Sequence, residues 1–450
     1  MSEDSLYGAL HAGARGGPVR SVPRGVQGLG RDEAARGTRR TAVALAAALA
    51  FCAPAGATPL LFLSTQLTPV PEATVMRQVI LKDFGHAVDF EPVDRSVLLS
   101  RARDLGADAG PPAVLGSLEV DLQELHQAGA LASVDDIMDQ ISPRPFLPRF
   151  DGRNLFETNR AYFVPWMQAT YLMAASTQAL RYLPRGASLD RLTYDELRDW
   201  AVAMYRATGK GMLGFPMGPR GLMHRFLEGY LYPSFTGSMW NSFDGPEAAA
   251  LWQYLGGLCR YVAPSSLVRN RMDEALLDGE VWVAWDHSAR LLDAFRKQPG
   301  EFVAFPAPVG PRGRGFIVVL AGLGVTRGPA SAAAADLIEY LTRPTTQAAT
   351  MESAGFLPVV QMGTGMGLSV GSRALVQAAL EQLVSGEGII SSVPPLSGDA
   401  ARRFDLVYLN AFSRIVLQNQ AAGPVLTEQK ALLRDLLSTA LPVREQTRGH

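Results

Sequence analysis

From Leu60 onward, short apolar runs alternate with stretches whose apolar residues recur at helical spacing. Leu60 to Leu63 is of strand length, and Val75, Met76, Val79 and Ile80 then mark one face of a helix over Glu72 to Phe84. The unit repeats: His86 to Phe90 alternates as a strand does, Asp94 to Leu105 reads as a helix capped by Asp94, and Ala113 to Leu115 is a further strand. Strands separated by helices of this length imply parallel crossovers, hence an α/β sheet covered on both faces. Ala161 to Pro165 and Tyr171 to Ala174 read as two more strands.

From Thr193 helices dominate, with Tyr194 to Ala207, Gly221 to Tyr230, Pro246 to Tyr261 and Met272 to Leu277. Strand character returns at Gly279 to Trp285, Phe302 to Phe305 and Phe316 to Val325, with His287 to Arg296 helical between them. Ala332 to Leu341, Thr345 to Ser353, Ser372 to Leu383, Phe404 to Leu417 and Val425 to Leu437 close the chain as helices. Strand–helix alternation in two places, with a helix-rich block between, predicts two lobes joined by more than one chain crossing.

Upstream of this pattern lies a different segment. Arg36, Arg39 and Arg40 precede the 12-residue apolar run Ala42 to Ala53, closed by Pro54 and followed by Ala55-Gly56-Ala57. A bilayer-spanning helix needs about 20 residues, whereas a secretory h-region needs about 7 to 15 before a small-residue cleavage site. Residues 1–57 therefore read as an export signal with an over-extended start, cleaved after Ala57. Thr38-Arg39-Arg40-Thr41 is a partial twin-arginine pattern, and Phe51 before Cys52 argues against a lipid anchor. The expected location is the periplasm or the outer face of the cytoplasmic membrane.

Composition narrows the function. The 450 residues are 47% hydrophobic and 19% charged with a net charge of −1, which excludes a disordered chain and gives no basic footprint for nucleic acid. After removal of 1–57 the net charge is −4 over 393 residues. Six scattered histidines have no metal-ligand spacing, and Cys259, the one thiol of the mature chain, reads as a buried, inert residue. Neither a metal nor a cofactor is expected.

Catalytic patterns are weak. Gly367-Leu368-Ser369-Val370-Gly371 matches the nucleophile elbow, but no strand precedes it and only His450 follows it, so a secreted hydrolase using Ser369 is the lesser alternative. Acidic pairs such as Asp135-Asp136 stand at helix starts and read as caps. Other stretches mix aromatic rings with planar polar groups, the combination that suits a sugar's apolar faces and hydroxyl edges. They are Ser64-Thr65-Gln66 at a strand end, Pro165-Trp166-Met167-Gln168 at one lobe crossing, Trp282 to His287 at another, and Gly229 to Pro233 with Trp240. Packing between lobes is the competing role for each aromatic.

The segments LLFLSTQLTPVPEA, VPWMQATYLM, MLGFPMGPRGLMHRFLEGYLYPSFTG, LLDGEVWVAWDHSARL, FVAFPAPVGPRGRGFIVVLAGLGV and YLTRPTTQAATMESAGFLPVV resemble, in this order, the extracellular solute-binding proteins of carbohydrate ABC importers. The group is the maltose/trehalose/oligosaccharide-binding one. The resemblance implies the type II two-lobe periplasmic-binding fold, with a ligand cleft between lobes and a helix-rich second lobe. It places 58–164 with 287–343 in the first lobe, 165–286 with 344–442 in the second, and leaves 443–450 as a tail. It implies a carbohydrate ligand, hinge closure without turnover, a monomer and membrane permease subunits as partners. Cleft positions would be Gln66, Trp166, Gln168, Trp285 and Asp286, with Glu119, Asp121, Arg220, Tyr232 and Trp240 beside them; His224 reads equally as structural. Gln168-Ala169 and Asp286-His287 depart from the Asp and Asn-Gly that many relatives carry there, so sugar identity does not transfer. A polyol or a phosphorylated solute, met by Arg220 or Arg312 to Arg314, is a further alternative.

Overall fold

The structure, a computed structural model, describes residues 58–107, 111–150, 156, 158–363, 365–391, 396 and 398–440. The export signal and the tail lie outside the described residues. β1 (Leu60–Ser64) leads into α1 (Val70–Val75), which continues as a π-helical turn over Met76–Ile80. β2 (Val88–Pro92), α2 (Arg95–Ala107) and β3 (Val114–Leu118) follow, as the periodicity predicts to within a few residues, and then α3 (Glu119–Gln127) and α4 (Asp135–Gln140), which it does not. Both β2 and β3 pair with β1 in parallel, so the expected crossovers are present.

The two strands expected over 161–174 are one strand, β4 (Val164–Ser176), buried along its length. Its polar residues suggest a loop between two strands, yet Gln168 Nε2 donates to Pro358 O at 2.8 Å and Thr170 Oγ1 donates to Ile317 O at 2.6 Å, so the strand runs on without unsatisfied groups. Next come α5 (Tyr194–Thr208), β5 (Leu213–Gly214), α6 (Met223–Phe226) with a π-helical turn at Leu227–Leu231, and α7 (Tyr232–Thr236). α5 starts at a capping box in which Thr193 Oγ1 accepts from Glu196 N at 3.1 Å and Thr193 N donates to Glu196 Oε2 at 2.8 Å. Asp135, read as a cap from sequence, instead accepts from Ala161 N at 2.8 Å and Arg160 Nε at 2.9 Å.

α8 (Pro246–Cys259), α9 (Asp273–Leu277), β6 (Val283–His287), α10 (Ser288–Lys297), β7 (Phe302–Phe305) and β8 (Arg314–Val325) lead to α11 (Ala332–Leu341), α12 (Pro344–Ala354), α13 (Val370–Leu383), β9 (Gly388–Ser391), α14 (Gly398–Phe412) and α15 (Ala422–Ala440). The sheet order is β2-β1-β3-β8-β4-β6-β5, with β7 on β4 and β9 on β8. Because β8 is antiparallel to both β3 and β4, the sheet is mixed rather than wholly parallel.

β4 and β8 each serve both lobes. Val164 to Thr170 pairs with β8, and Tyr171 to Ser176 pairs with β6 and β7. Alternate residues of the second stretch enter opposite cores: Tyr171, Met173 and Ala175 pack with Trp200, Tyr230 and Trp285, whereas Leu172 and Ala174 pack with Leu291, Phe295 and Leu375. In the first lobe Phe62, Trp166 and Leu337 fill one face, and Leu63, Leu98 and Leu122 the other. Each half of the sheet is thus covered on both faces. Within 287–343, which the resemblance assigns to the first lobe, the packing goes both ways. α10 and β7 join the second lobe, since β7 pairs with β4 beyond Tyr171 and Leu291, Leu292 and Phe302 share that lobe's core. α11 stays with the first through Leu337, Ile338 and Leu341.

Candidate functional site

Register places the site. Leu118 at the end of β3 and Met167 on β4 both lie opposite Ala321, so the carboxyl end of β3 stands level with Met167, and Ser64 at the end of β1, opposite Gly116, ends two residues short of it. From the other side His287, the last residue of β6, lies opposite Tyr171, and β5 runs parallel to β6. Both lobes therefore direct strand carboxyl ends at each other across residues 168–171 of β4. Loops that leave such ends supply ligand groups in α/β sheets.

On the first-lobe wall, polar side chains form a relay. Gln66 Nε2 donates to Thr65 Oγ1 at 3.1 Å, and Thr65 Oγ1 meets Ser117 Oγ at 2.8 Å. Ser117 Oγ donates to Asp121 Oδ2 at 2.7 Å, so Thr65 is the donor to Ser117. Arg95 Nε closes the chain on Asp121 Oδ1 at 2.6 Å. Gln66 and Asp121 are buried, and the relay holds both in fixed orientation. Glu119 opens α3 half-buried. Burial raises its carboxyl above the usual range, and Arg149 opposes that rise. Trp166 is fully buried beneath this wall against Phe62, centroids 5.7 Å apart, and its Nε1 meets no acceptor among the described residues. Gly116 is required here, because a Cβ would stand 2.8 Å from the Trp166 ring and 2.9 Å from Ser64 Oγ.

Glu72, which the sequence reading passed over, follows β1 on the short first helix and is buried, with Oε2 unpartnered among the described residues. Burial pushes its carboxyl up to about 7. Between the ordinary glutamate value and about 7 the folded protein holds a proton that the unfolded chain has released, so this group's stabilisation is complete at low pH and lost as pH rises through 7. Glu72→Gln should therefore raise the unfolding free energy at pH 8 by about 2 to 3 kcal/mol and leave it nearly unchanged at pH 4.5. Equal midpoints for the two proteins across that range in urea titrations would contradict it.

On the second-lobe wall, Trp285 lies flat on Tyr171, centroids 4.9 Å apart at 6°, with Phe226 and Tyr230 edge-on. Its Nε1 also finds no acceptor among the described residues. Asp286, fully buried, accepts from Met272 N at 2.8 Å and His287 N at 2.7 Å and faces Arg290 at 3.4 Å. Burial raises its carboxyl, and Arg290 works in the opposite direction. His287 Nδ1 caps α10 by accepting from Ala289 N at 3.2 Å, and burial pushes the imidazole down to about 3, so it is neutral. Ser288 Oγ and Arg290 Nε are buried without an acceptor among the described residues. Arg220 is exposed, its backbone N donating to Asn270 Oδ1 at 2.8 Å. His224 is buried, its Nε2 3.8 Å from Asp405.

Tyr232 and Trp240 stand further back, in the helical core. Tyr232 donates to Phe243 O at 3.2 Å and accepts from Trp252 Nε1 at 2.9 Å, and Trp240 lies edge-on to Phe404. Gln168, on the crossover, also lines a cavity of about 470 Å³ with Leu147, Pro358, Gln361 and Leu380. Ser117, Arg95 and Arg290 escape sequence reading because their partners come from other elements.

The elbow geometry is absent at Ser369. Its Oγ accepts from Ser372 N at 3.2 Å as the N-cap of α13, and residues 361–368 contain no strand among those described. Cys259 has its thiol pushed up to about 12 by burial and stays protonated. Among the described residues no cluster of three or more His, Cys, Asp or Glu could hold a metal, and no helix is long and apolar enough to cross a membrane.

Two lobes sharing crossover strands, with opposed strand ends between them, define the two-lobe solute-binding fold of type II. The chain belongs to the bacterial extracellular solute-binding proteins, whose family pattern matches residues 83–362. No curated protein matches it by sequence. Among solved structures, maltose-bound T. maritima MalE3 is 19% identical, covering 85% of this chain and 100% of its own, with a TM-score of 0.63. The sugar-binding protein MalE from the phytopathogen Xanthomonas citri is 19% identical, covering 85% and 98%, at 0.64. UgpB from Mycobacterium tuberculosis, in complex with glycerophosphocholine, is 18% identical, covering 85% and 100%, at 0.60.

Proposed function

We propose that the protein captures a carbohydrate outside the cytoplasmic membrane and delivers it, by closure of the lobes and without turnover, to the permease subunits of an ABC importer. The observation that carries this reading is the opposition of the strand ends, one wall of which holds the relay from Gln66 to Asp121. Gln66, Glu119 and Asp121 would meet sugar hydroxyls from the first lobe, and Gln168 lies on the crossover. Arg220 would reach the solute from the second lobe, with Asp286 buried behind that wall, Trp166 and Trp285 beneath the two walls and Tyr232 and Trp240 supporting from behind. The protein works as a monomer, and residues 1–57 direct its export.

A second reading, a phosphorylated solute, draws support from Ser288 Oγ and Arg290 Nε, buried donors that lack an acceptor among the described residues. A thermal-shift series over mono- and oligosaccharides, polyols and glycerophosphodiesters separates the two, because a bound solute raises the midpoint by mass action. Glu119→Gln should then weaken the best saccharide by about 1 to 3 kcal/mol in titration calorimetry while the ligand-free midpoint moves little. A midpoint indifferent to every saccharide would end the carbohydrate reading.

A further inference from the structure

Three segments pass side by side between the lobes: β4, β8 and the stretch 355–360, where Leu357 exchanges both backbone hydrogen bonds with Gln168, at 2.8 and 3.0 Å. Two buried glutamines tie these crossings at successive points along β4. Gln347, on α12 and 1% exposed, donates from Nε2 to Trp166 O at 2.6 Å and Leu341 O at 2.9 Å. Its Oε1 accepts from Val359 N at 3.1 Å, so one side chain joins β4, the end of α11 and the third crossing. Gln382, on α13 and also 1% exposed, donates from Nε2 to Thr170 Oγ1 at 2.9 Å and accepts at Oε1 from Ala307 N at 2.9 Å. Thr170 Oγ1 in turn donates to Ile317 O on β8 at 2.6 Å, and Tyr230 Oη accepts from Tyr171 N at 2.9 Å.

We propose that Gln347 and Gln382 are positioning residues that confine the pivot of lobe closure to the short spans between them. A primary amide carries a donor and an acceptor on one rigid plane, and can therefore tie two backbone segments at once, which an apolar residue of the same length cannot. Gln347 locks β4 up to Trp166, and Gln382 with Tyr230 and Thr170 locks it from Thr170 onward. Met167, Gln168 and Ala169 remain between the locks, with Ala321, Leu320 and Val319 beside them on β8. The register shift between Pro165 and Met167 adjoins this span, and such an irregularity lets a strand bend locally. Hinges are a few residues that absorb a rotation while both flanks stay rigid.

This inference rests on the closure reading, but its test needs no solute. Nitroxide labels at Lys82→Cys, on the exposed surface of the first lobe, and Arg206→Cys, exposed on the second, report the lobe separation by pulsed electron spin resonance. The ligand-free wild type should give a narrow distribution. Gln347→Met and Gln382→Met should each broaden it roughly twofold. Tyr230→Phe, which keeps the ring and removes the hydroxyl, should broaden it in the same direction by less. Trp200→Phe, in the same second-lobe core but with its indole donating to Ala179 O at 2.9 Å, serves as the control for general loosening. Unchanged widths in all three crossover variants, or equal broadening in the control at a matched fall in unfolding midpoint, would overturn the proposal. Broadened variants whose mean separation no saccharide shifts would sustain the clamps and remove the carbohydrate reading alone.

Discussion

Trp285→Ala is expected to lower the unfolding free energy by about 3 to 5 kcal/mol, read as a fall in denaturant midpoint at constant slope. The indole has no exposed surface and is walled by Tyr171 on its face and by Phe226 and Tyr230 on its edges. Truncation removes its transfer free energy and its aromatic contacts, and leaves a void that neighbours held in a continuous sheet cannot close. The same layer backs the second-lobe wall, so the variant that still folds should also bind its solute more weakly. A loss under about 1 kcal/mol would show that the layer collapses onto the gap and that the stack is not what holds it.

Asp286→Ala should cost a comparable amount, about 3 to 5 kcal/mol, for a different reason. Its carboxylate is the acceptor for Met272 N and His287 N and the counter-charge of Arg290, which is itself 5% exposed. Alanine there leaves a buried guanidinium uncompensated and two backbone donors unsatisfied. The charge component is separable: Asp286→Ala combined with Arg290→Met should recover part of the loss, because the stranded cation is gone. If the double variant is as unstable as the sum of the singles, the pair does not interact, and the backbone bonds account for the whole cost.

Much of the fold was legible because it follows from periodicity. The β-α units from Leu60 to Leu118, the helix opened by Thr193 and the strand at Phe302 to Phe305 are set by local pattern and by caps within a few residues of each other. The continuity of β4 was not legible, since Gln168 and Thr170 look like loop residues until their partners Pro358 and Ile317 arrive, 190 and 147 positions away. The site was read unevenly. Gln66 is proposed from its position at a strand end, Glu119 and Asp121 from the resemblance alone. Trp166 and Trp285 read as platforms for a sugar ring, yet both faces of the sheet are covered, so each ring enters a core, and sequence does not say how far along a strand that covering extends. Tyr232 and Trp240 read as a loop cluster; Tyr232 opens α7, Trp240 lies in the bend beyond it, and both rings are buried. The clamp residues Gln347 and Gln382 carry no local signal at all, because Trp166 and Thr170 are 181 and 212 positions distant.

The placement of β8 has a consequence for how the chain reaches this state. It lies between β3 and β4, pairing with both, although more than half of the sequence separates it from β1. A nascent chain that has emerged only as far as Lys297 possesses β4 and the outer strands of both lobes but not β8, so the pairings that join β3 to β4 cannot yet close. Neither lobe can therefore mature ahead of the other during synthesis, and the two are expected to complete together, late, in a single step.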